Sequence, residues 1–306
     1  MHKVTNVSVL SNIVRLGVTD RQHAYSTLRR WRRIQNVTKQ VLQARTTDSV
    51  RWRADAGLPT QPQDRLFMSF HYGLWYINLA AMAKATGCHR VYCLVGEIHP
   101  SYNDRMAAMA RAAGIEIVLI SGGIAMLRGV RQARAEGALM FVLVDVPWGM
   151  GGEPDQRFPF LTGHIDARSA LFTFAERAGL QPHLLVADYD EAQRATVIRH
   201  HEIDSQSECF TLLERYVADK PWLWERLIDV HKYSSQSGER PHLPFKVAND
   251  FYVADMASLQ VSRVNRSLYE QMLESRRLAS QGRPADAASL LEHIHASTNL
   301  AVRSVF

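Results

Sequence analysis

A histidine at the end of a short apolar run is the residue of this chain best suited to chemistry. Leu66–Phe70 is typical of a buried strand, His71 follows it, and Gly73 precedes a helix-like stretch. Parallel sheets bind their ligands beyond the carboxyl ends of the strands, which is where this pattern places His71. A neutral imidazole there can accept a proton from a hydroxyl or amine that attacks a thioester. The structural alternative is a strand-end histidine whose ring is satisfied by backbone groups.

Strands and helices alternate in the part of the chain that carries this histidine. The strand-like runs are Leu66–Phe70, Arg90–Val95, Ile115–Ile120, Ala138–Val144, His183–Asp188 and Thr196–Ile203. The helix-like runs between them are Leu74–Ala85, Tyr102–Ala113, Ile124–Glu136 and Asp166–Ala178. This alternation predicts an α/β fold with a layered, largely parallel sheet flanked by helices.

Three segments are predicted along the chain. Residues 1–60 form a basic helical segment, and residues 61–235 form the α/β core. Residues 236–306 form a C-terminal helical extension, in which Val261–Gln281 and Ala285–Ser297 make an antiparallel helix pair. A polar loop is expected at residues 234–244, ahead of that pair.

The composition is that of a globular protein kept in a reducing compartment. Hydrophobic residues make up 46% and charged residues 22% of the 306 positions, which is ordinary for such proteins. No apolar run approaches the roughly 18 residues that a membrane span needs, and no signal-peptide core follows Met1. The three cysteines show no paired spacing. The cytoplasm is therefore the expected location, either free or peripheral at the inner face of the membrane.

The positive charge is concentrated near the N-terminus. Residues 1–60 hold 11 lysines and arginines against 3 acidic residues, whereas the rest of the chain is close to neutral. Residues 28–33, Leu-Arg-Arg-Trp-Arg-Arg, are the focus. They form a solvated helix face, rest on an anionic membrane with Trp31 as the interfacial anchor, or dock an acidic protein. Nucleic-acid binding is disfavoured because no binding motif accompanies the basic residues.

The stretch around His71 also carries a family resemblance. Ser69-Phe70-His71-Tyr72-Gly73-Leu74-Trp75 resembles the first motif of the lysophospholipid acyltransferase superfamily, and is most similar to that of the bacterial lipid A biosynthesis acyltransferases. Further segments resemble later motifs of the family in the same order. They are Gly137–Asp145, Phe158–Gly163, Ala167–Gly179 and Trp222–Trp224. The similarity covers roughly residues 10 to 233.

The resemblance implies a fold, a reaction and a set of site residues. The fold would be glycerolipid acyltransferase-like. An acyl group would move from an acyl carrier protein (on its phosphopantetheine) or from coenzyme A to a hydroxyl or amine, on a lipid or a natural-product intermediate. His71 would be the general base, with no covalent acyl-enzyme, no bound cofactor and no metal. The implied substrate-binding residues are Gly73, Trp75, Phe160, Gly163 and Arg168. For Arg168 the alternative is an ion pair with Asp166 or Glu176.

The motif departs from the family in its acid. The family has a carboxylate five residues after the histidine, where this chain has Tyr76. A tyrosine can hydrogen-bond an imidazole but cannot stabilise an imidazolium by charge. Asp145, which ends a central strand-like run, is the preferred substitute, with Glu97 and Asp104 as weaker candidates. The alternative for Asp145 is a carboxylate that caps a loop or helix.

Two other functions stay open because of that departure. A degenerate relative would bind a lipid or a carrier protein without chemistry. A thioesterase-like hydrolase would use the same histidine to activate water. The absence of a G-x-S-x-G elbow counts against a serine hydrolase. The glycine-rich residues 146–154 fit no nucleotide-binding fingerprint and are expected to border the cleft.

Overall fold

The structure, a computed structural model, describes most of the chain. The described residues are 6, 8–10, 12–13, 16–17, 21–55, 57–95, 100–145, 154–230, 234–236, 242–247, 249–255, 261–281, 283, 285–286 and 289–290. The chain divides into two compact units. The larger unit is Asn12–Gln236, and the smaller combines Met1–Ser11 with Ser237–Phe306.

A seven-stranded sheet forms the centre of the larger unit. Its strands are β1 (Trp52–Ala54), β2 (Arg65–Ser69), β3 (Arg90–Leu94), β4 (Glu116–Ile120), β5 (Leu139–Leu143), β8 (Gln181–Asp190) and β9 (Ala195–Glu202). The intervening β6 (Gln156–Phe160) and β7 (Gly163–Ala167) belong to a second sheet. Their order is β1-β9-β8-β2-β5-β3-β4. All neighbours pair in parallel except β8 and β9. The predicted α/β class with a largely parallel sheet is therefore confirmed.

Helices follow most strands of this sheet. They are α1 (Arg21–Ala44), α2 (Tyr76–Thr86), α3 (Pro100–Ala112), α4 (Gly123–Glu136), α5 (Ala170–Arg177) and α6 (Gln206–Asp219). Two 3₁₀ turns follow α6, at Pro221–Leu223 and Glu225–Ile228. β5 is buried at all five positions and β2 at four of five. Continuous apolar runs of this kind belong to central strands that are covered on both faces.

The register of the two central strands brings two distant residues together. Ser69 pairs with Leu143 in the parallel ladder between β2 and β5. The backbone N–H of Val144 donates to the carbonyl of Ser69 at 2.9 Å, which extends the pairing by one step. His71 and Asp145 each lie two residues beyond these strand ends. They therefore come side by side at the carboxyl edge of the sheet.

A hairpin replaces the start of one predicted helix. The prediction of a helix over Asp166–Ala178 is wrong at its beginning, because Gly163–Ala167 is a strand (β7) and the helix starts at Ala170. β7 pairs with β6 (Gln156–Phe160) on one side and with β10 (Ser234–Gln236) on the other. Along β7 the burial follows the alternation of a strand, with Ile165 and Ala167 buried and their neighbours partly exposed.

The smaller unit contains a sheet that the sequence did not predict. Three antiparallel strands, β11 (His242–Val247), β12 (Asp250–Asp255) and β13 (Val261–Val264), precede helix α7 (Arg266–Ser280). The predicted C-terminal helical extension is therefore wrong over these strands, whereas its predicted helix Val261–Gln281 is helical from Arg266 to Ser280. The polar loop predicted at 234–244 is wrong at 234–236 and 242–244, which are strands, and residues 237–241 lie outside the described residues. Asn265 lies between β13 and α7 and caps α7 by accepting a hydrogen bond from the backbone N–H of Leu268 at 2.8 Å. Most of the predicted helix Ala285–Ser297 lies outside the described residues.

No helix among the described residues is both long enough and apolar enough to cross a bilayer.

Candidate active site

His71 and Asp145 form a buried pair at the carboxyl edge of the sheet. The Nδ1 atom of His71 lies 2.8 Å from Oδ1 of Asp145, and the exposed fractions of the two residues are 3% and 0%. The backbone N–H of His71 also donates to both carboxylate oxygens, at 3.1 and 2.9 Å. With Nδ1 directed at the carboxylate, the neutral ring carries its lone pair on Nε2. Nε2 is then the atom that can accept a proton.

Trp224 completes the surroundings of the carboxylate. Its indole Nε1 donates to Oδ2 of Asp145 at 2.8 Å, and Trp224 is fully buried. Its backbone forms an antiparallel bridge with Tyr72, and the N–H of Glu225 donates to the carbonyl of His71 at 2.8 Å. One short segment thus fixes the backbone of the histidine and the side chain of the acid.

The electrostatics of Asp145 favour its charged form. Burial by itself raises the pKa of this carboxyl, but the charge of His71, the hydrogen bond from His71 and the indole of Trp224 together hold it below its usual value. The charge of Arg226 acts in the same direction. An ionised Asp145 can stabilise a proton on the His71 ring, which is the role of the carboxylate in other His–acid pairs.

Gly73 lets the loop after His71 approach strand β8 closely. Its φ is +59°, and a Cβ at this position would overlap the carbonyl oxygen of Ala187. Its N–H donates to the carbonyl of Leu223 at 2.7 Å. A glycine is needed here for both conformation and space. The predicted substrate-binding position is therefore also a structural requirement of the loop.

Trp75 contacts the His71 ring, whereas the hydroxyl of Tyr76 does not bond to it. The Trp75 ring meets His71 edge to face, with centroids 5.7 Å apart, and stacks on Phe141. Tyr76 begins α2 and its hydroxyl is buried near Thr38 rather than bonded to the imidazole. Burial raises the pKa of Tyr76 to about 12. Asp145, and not Tyr76, is therefore the partner of the His71 ring nitrogen Nδ1.

The other predicted substrate-binding residues belong to the segments Phe158–Gly163 and Ala167–Gly179. Phe160 is fully buried and packs against Trp224, with ring centroids 5.5 Å apart. Gly163 begins β7 and pairs with Phe160. Arg168 lies between β7 and α5 rather than inside a helix. Hydrogen bonds from Ser169 hold the pKa of the nearby Asp155 below its usual value, and the charge of Arg168 adds a smaller effect in the same direction. Asp166, one of its two predicted partners, forms its ion pair with Arg157 instead.

The weaker acid candidates do not join the described site. Asp104 is exposed on α3, and Glu97 lies outside the described residues, as do positions 146–153 of the glycine-rich stretch. Arg105, the residue after Asp104 on α3, forms an ion pair with Glu225 at 2.6 Å. Glu225 is the residue whose N–H holds the His71 carbonyl.

Helix α1 supports the site from outside, which the sequence did not reveal. The indole of Trp31 donates to the carbonyl of Trp224 at 3.1 Å. Trp31 is only 6% exposed, so it is not available as the interfacial anchor that the sequence suggested. Next to it, the guanidinium of Arg30 lies 4.4 Å from the ring centroid of Trp222. The one signal in the sequence was the tryptophan-rich stretch at 222–224.

Other reactive groups of the described chain are poorly placed for catalysis. Burial raises the pKa of Cys93 to about 12, and burial and the charge of Asp145 raise the pKa of Cys209 still further. Neither thiol is a good nucleophile at neutral pH, because the thiolate is the reactive form. Within the described residues no group of three or more potential ligands is arranged to hold a metal ion.

Comparison with models of known protein families and with curated proteins finds no match for this chain.

Proposed function

We propose that the protein is an acyltransferase that uses His71 as general base and Asp145 as its charge partner. The observation that carries the proposal is the buried contact of 2.8 Å between Nδ1 of His71 and Asp145. It lies at the carboxyl edge of two central parallel strands, the usual place for a ligand site in such sheets. The acid that the family motif has five residues after the histidine would thus be supplied by a neighbouring strand.

The proposed reaction is a single displacement. Nε2 of His71 accepts the proton of an acceptor hydroxyl or amine while the acceptor oxygen or nitrogen attacks the thioester carbonyl. The tetrahedral intermediate then collapses with cleavage of the carbon–sulfur bond. The leaving thiolate takes the proton from the imidazolium, and Asp145 stabilises that imidazolium while it exists. The product is the acylated acceptor and a free thiol.

A buried donor on a ring that contacts the histidine supports a ligand at this position. Nε1 of Trp75, whose ring meets His71 edge to face, has no hydrogen-bond partner in the described part of the chain. Buried polar groups are nearly always paired, so an unpaired donor on a residue that touches His71 calls for an explanation. A substrate oxygen would satisfy the Trp75 N–H, and a developing oxyanion would do so best.

The resemblance in sequence supports the acyl-transfer class and a glycerolipid acyltransferase-like fold. The motif around His71, the strand that ends in Asp145 and the tryptophan of position 224 come from separate parts of the chain. These three parts meet in one cluster of hydrogen bonds. The donor would be an acyl carrier protein or coenzyme A thioester, and the protein would act in the cytoplasm or at the inner membrane face.

The test is thiol release from acyl carrier protein and acyl-coenzyme A thioesters, with and without a panel of hydroxyl and amine acceptors. We expect acceptor-dependent release by the wild type and a loss of at least 100-fold in His71→Ala. His183→Leu is the matched control, because His183 is equally buried but pairs with Phe67 near the middle of strand β2, away from the carboxyl edge that holds His71. Unchanged acyl transfer by His71→Ala would sink the general-base role.

The same assay separates the two alternatives. Thiol release that needs no acceptor and depends on His71 would identify a thioesterase-like hydrolase. Binding of carrier protein without release from any thioester would identify a degenerate binding protein. The buried His71–Asp145 contact favours catalysis over mere binding, because burying a carboxylate is costly and binding alone does not require a charge beside the imidazole.

A further inference from the structure

The chain turns sharply at Lys220, shortly before the tryptophan that holds Asp145. Helix α6 ends there because Pro221 has no N–H to continue it. The residue before a proline is also kept out of the helical region, and Lys220 has a φ of −134° and a ψ of 68°. The position of Trp224 therefore depends on what holds this turn in place.

A largely buried ion pair holds the turn to strand β8. Nζ of Lys220 lies 2.8 Å from Oδ1 of Asp188, and the exposed fractions of the two side chains are 21% and 8%. Asp188 directly follows Ala187, the residue whose carbonyl Gly73 approaches. Desolvation offsets much of the attraction in such a pair, so its presence calls for an explanation other than stability.

Tyr72, the residue next to His71, is bonded to the same turn. Its hydroxyl donates to the carbonyls of Tyr216 and Lys220, at 2.8 and 3.2 Å. Burial and the charge of Asp188 raise the pKa of Tyr72, so its hydroxyl stays protonated and remains a donor at neutral pH. The turn is thus tied both to a central strand and to the neighbour of the reactive histidine.

The segment that follows the turn pairs with the loop that carries His71. Two backbone hydrogen bonds, of 2.7 and 2.8 Å, flank the bridge between Tyr72 and Trp224. The indole of Trp224 then donates to Asp145. A movement of the turn would therefore reach both members of the pair, His71 through the backbone and Asp145 through the indole.

A second ion pair in the same charge cluster lacks this connection to the site. Nη1 of Arg199 on β9 lies 3.0 Å from Oδ2 of Asp55, which directly follows β1, and Nε of Arg199 lies 3.8 Å from Asp188. Neither Arg199 nor Asp55 belongs to the segment that carries Trp224. Because the two ion pairs share their surroundings, comparing them separates the effect of charge from the effect of position.

We infer that Lys220 is a positioning residue, because its ion pair with Asp188 holds the turn that brings the Trp224 indole onto Asp145. Its effect on the rate rests on the proposed acyl transfer, whereas its effect on the geometry of the His71–Asp145 pair does not. Lys220 acts through Trp224, so it belongs to the support of the site and not to the reacting groups.

The first test reads the geometry of the pair without any substrate. The full chain is labelled with nitrogen-15 histidine, and the Nδ1–H proton of His71 is observed by NMR, with His71→Ala identifying its signal. The variant is Asp188→Asn/Lys220→Met, which removes the ion pair without leaving an unpaired buried charge. Its matched control is Asp55→Asn/Arg199→Met, which removes the neighbouring ion pair in the same way.

We expect the His71 signal of the Asp188→Asn/Lys220→Met variant to shift and to exchange faster with water, because a loosely held carboxylate accepts a weaker hydrogen bond. The control should keep the wild-type signal. No change in either variant, or equal changes in both, would overturn the inference.

Two single variants keep the result interpretable if the double variant does not fold. Lys220→Gln keeps a hydrogen-bond donor but loses the charge, so it should move the His71 signal in the same direction by a smaller amount. Lys220→Arg keeps the charge and should leave the signal close to that of the wild type. A signal equally disturbed in Lys220→Arg and Lys220→Gln would overturn the role of the ion pair.

The second test measures the rate of thiol release from acyl carrier protein thioesters in the presence of the acceptor panel. We expect kcat of Asp188→Asn/Lys220→Met to fall at least tenfold while KM changes less than twofold, because the acid is misplaced and the substrate contacts are kept. The Asp55→Asn/Arg199→Met control should lose less than threefold. A raised KM with an unchanged kcat would assign Lys220 to substrate binding and overturn the inference.

The failure of this inference differs from the failure of the proposed function. A disturbed His71 signal in the Asp188→Asn/Lys220→Met variant, without any thiol release by the wild type, would keep the positioning role and remove the reaction. Acyl transfer by the wild type, with an undisturbed signal and rate in that variant, would do the reverse.

Discussion

Two buried imidazoles in this protein have opposite surroundings. His71 has the carboxylate of Asp145 at 2.8 Å, whereas Nδ1 of His183 on β8 lies 2.9 Å from Nε2 of His200 on β9, with the two rings stacked. Burial, the charge of His200 and the charge of Arg65 lower the pKa of His183 to about 4. At neutral pH the second pair therefore stays uncharged.

The contrast shows what makes a buried histidine useful as a base. Burial disfavours a charged imidazole. Beside His71 the carboxylate of Asp145 can offset this effect, whereas the neighbour of His183 is another imidazole. The neighbouring histidine at the second place adds repulsion instead. A close titratable neighbour alone therefore does not make a buried histidine a base. The charge of that neighbour decides whether the ring can hold a proton during a reaction.

The strongest way to break this contrast is to remove the charge of the acid. Asp145→Asn keeps the size of the side chain but not its charge, so the imidazolium loses its partner. We expect the rate of acyl transfer to fall by about 10³- to 10⁴-fold. The measurement is thioester cleavage in the presence of acceptor. His183→Leu should stay within about threefold of the wild type, and equal losses in both variants would erase the distinction.

The next largest effect concerns the backbone around the two histidine pairs. The loop after His71 depends on the close approach of Gly73 to Ala187, whereas His183 and His200 lie on regular strands. Gly73→Ala should lower the free energy of unfolding by about 2–4 kcal/mol through overlap and left-handed strain.

Urea titration measures this change, with Gly87→Ala as the control. Gly87 shares the positive φ but has open space around its missing Cβ, so strain alone should cost about 1 kcal/mol. Equal destabilisation of the two variants would mean that the approach to Ala187 has no energetic weight.

A smaller effect is expected where Trp224 holds the acid. Trp224→Phe removes the N–H that donates to Asp145 and keeps the aromatic packing. The carboxylate loses one of the donors that hold its pKa below the usual value, and it is less firmly placed. We expect a rate loss on the order of tenfold. Trp222→Phe should leave the rate unchanged, and equal losses in the two variants would point to aromatic packing alone.

The smallest effect is a dependence of stability on pH that comes from the second pair. Between about pH 6.5, the ordinary pKa of histidine, and pH 4, the unfolded chain binds a proton that folded His183 does not. Stability is therefore present at neutral pH and falls as the pH falls through this window. His183→Leu should reduce the loss between pH 7 and 4.5 by about 1–2 kcal/mol.

Urea unfolding at the two pH values gives the measurement. Asp145 contributes in a lower window, because its depressed pKa makes its stabilisation disappear only below about pH 4. An identical pH dependence in His183→Leu would show that other groups dominate between pH 7 and 4.5. His200 and His201, whose pKa values are also lowered by burial, are the first of those groups.

The central part of the fold was predictable because its strands are buried on both faces. Runs such as Leu66–Phe70 and Ala138–Val144 are long enough and apolar enough to be recognised alone. Asp145 as the neighbour of His71 followed from the position of both residues at strand ends. The equal offset of two residues past β2 and β5 makes them meet, but only the register of the strands reveals it.

The missed parts depend on contacts between distant segments. The sequence of β7 predicts the start of a helix because the strand is only five residues long and partly polar. Its conformation is decided by its pairing with β6 and β10. β13 was hidden by the helix that follows it within two residues. The hydrogen bond from Trp224 to Asp145 joins residues 79 positions apart, and nothing local to either residue predicts it.

The support of the carboxylate has a consequence for biosynthesis. Trp31, His71, Asp145 and Trp224 come from four separate stretches, and the last of them enters the chain when about three quarters of it has been made. Contacts of such long sequence separation form late in folding. A nascent or partly folded chain therefore has no supported acid beside its histidine. The His71–Asp145 pair is completed only in a molecule whose larger unit is already closed, which under the proposed acyl transfer would keep partly folded chains from cleaving thioesters.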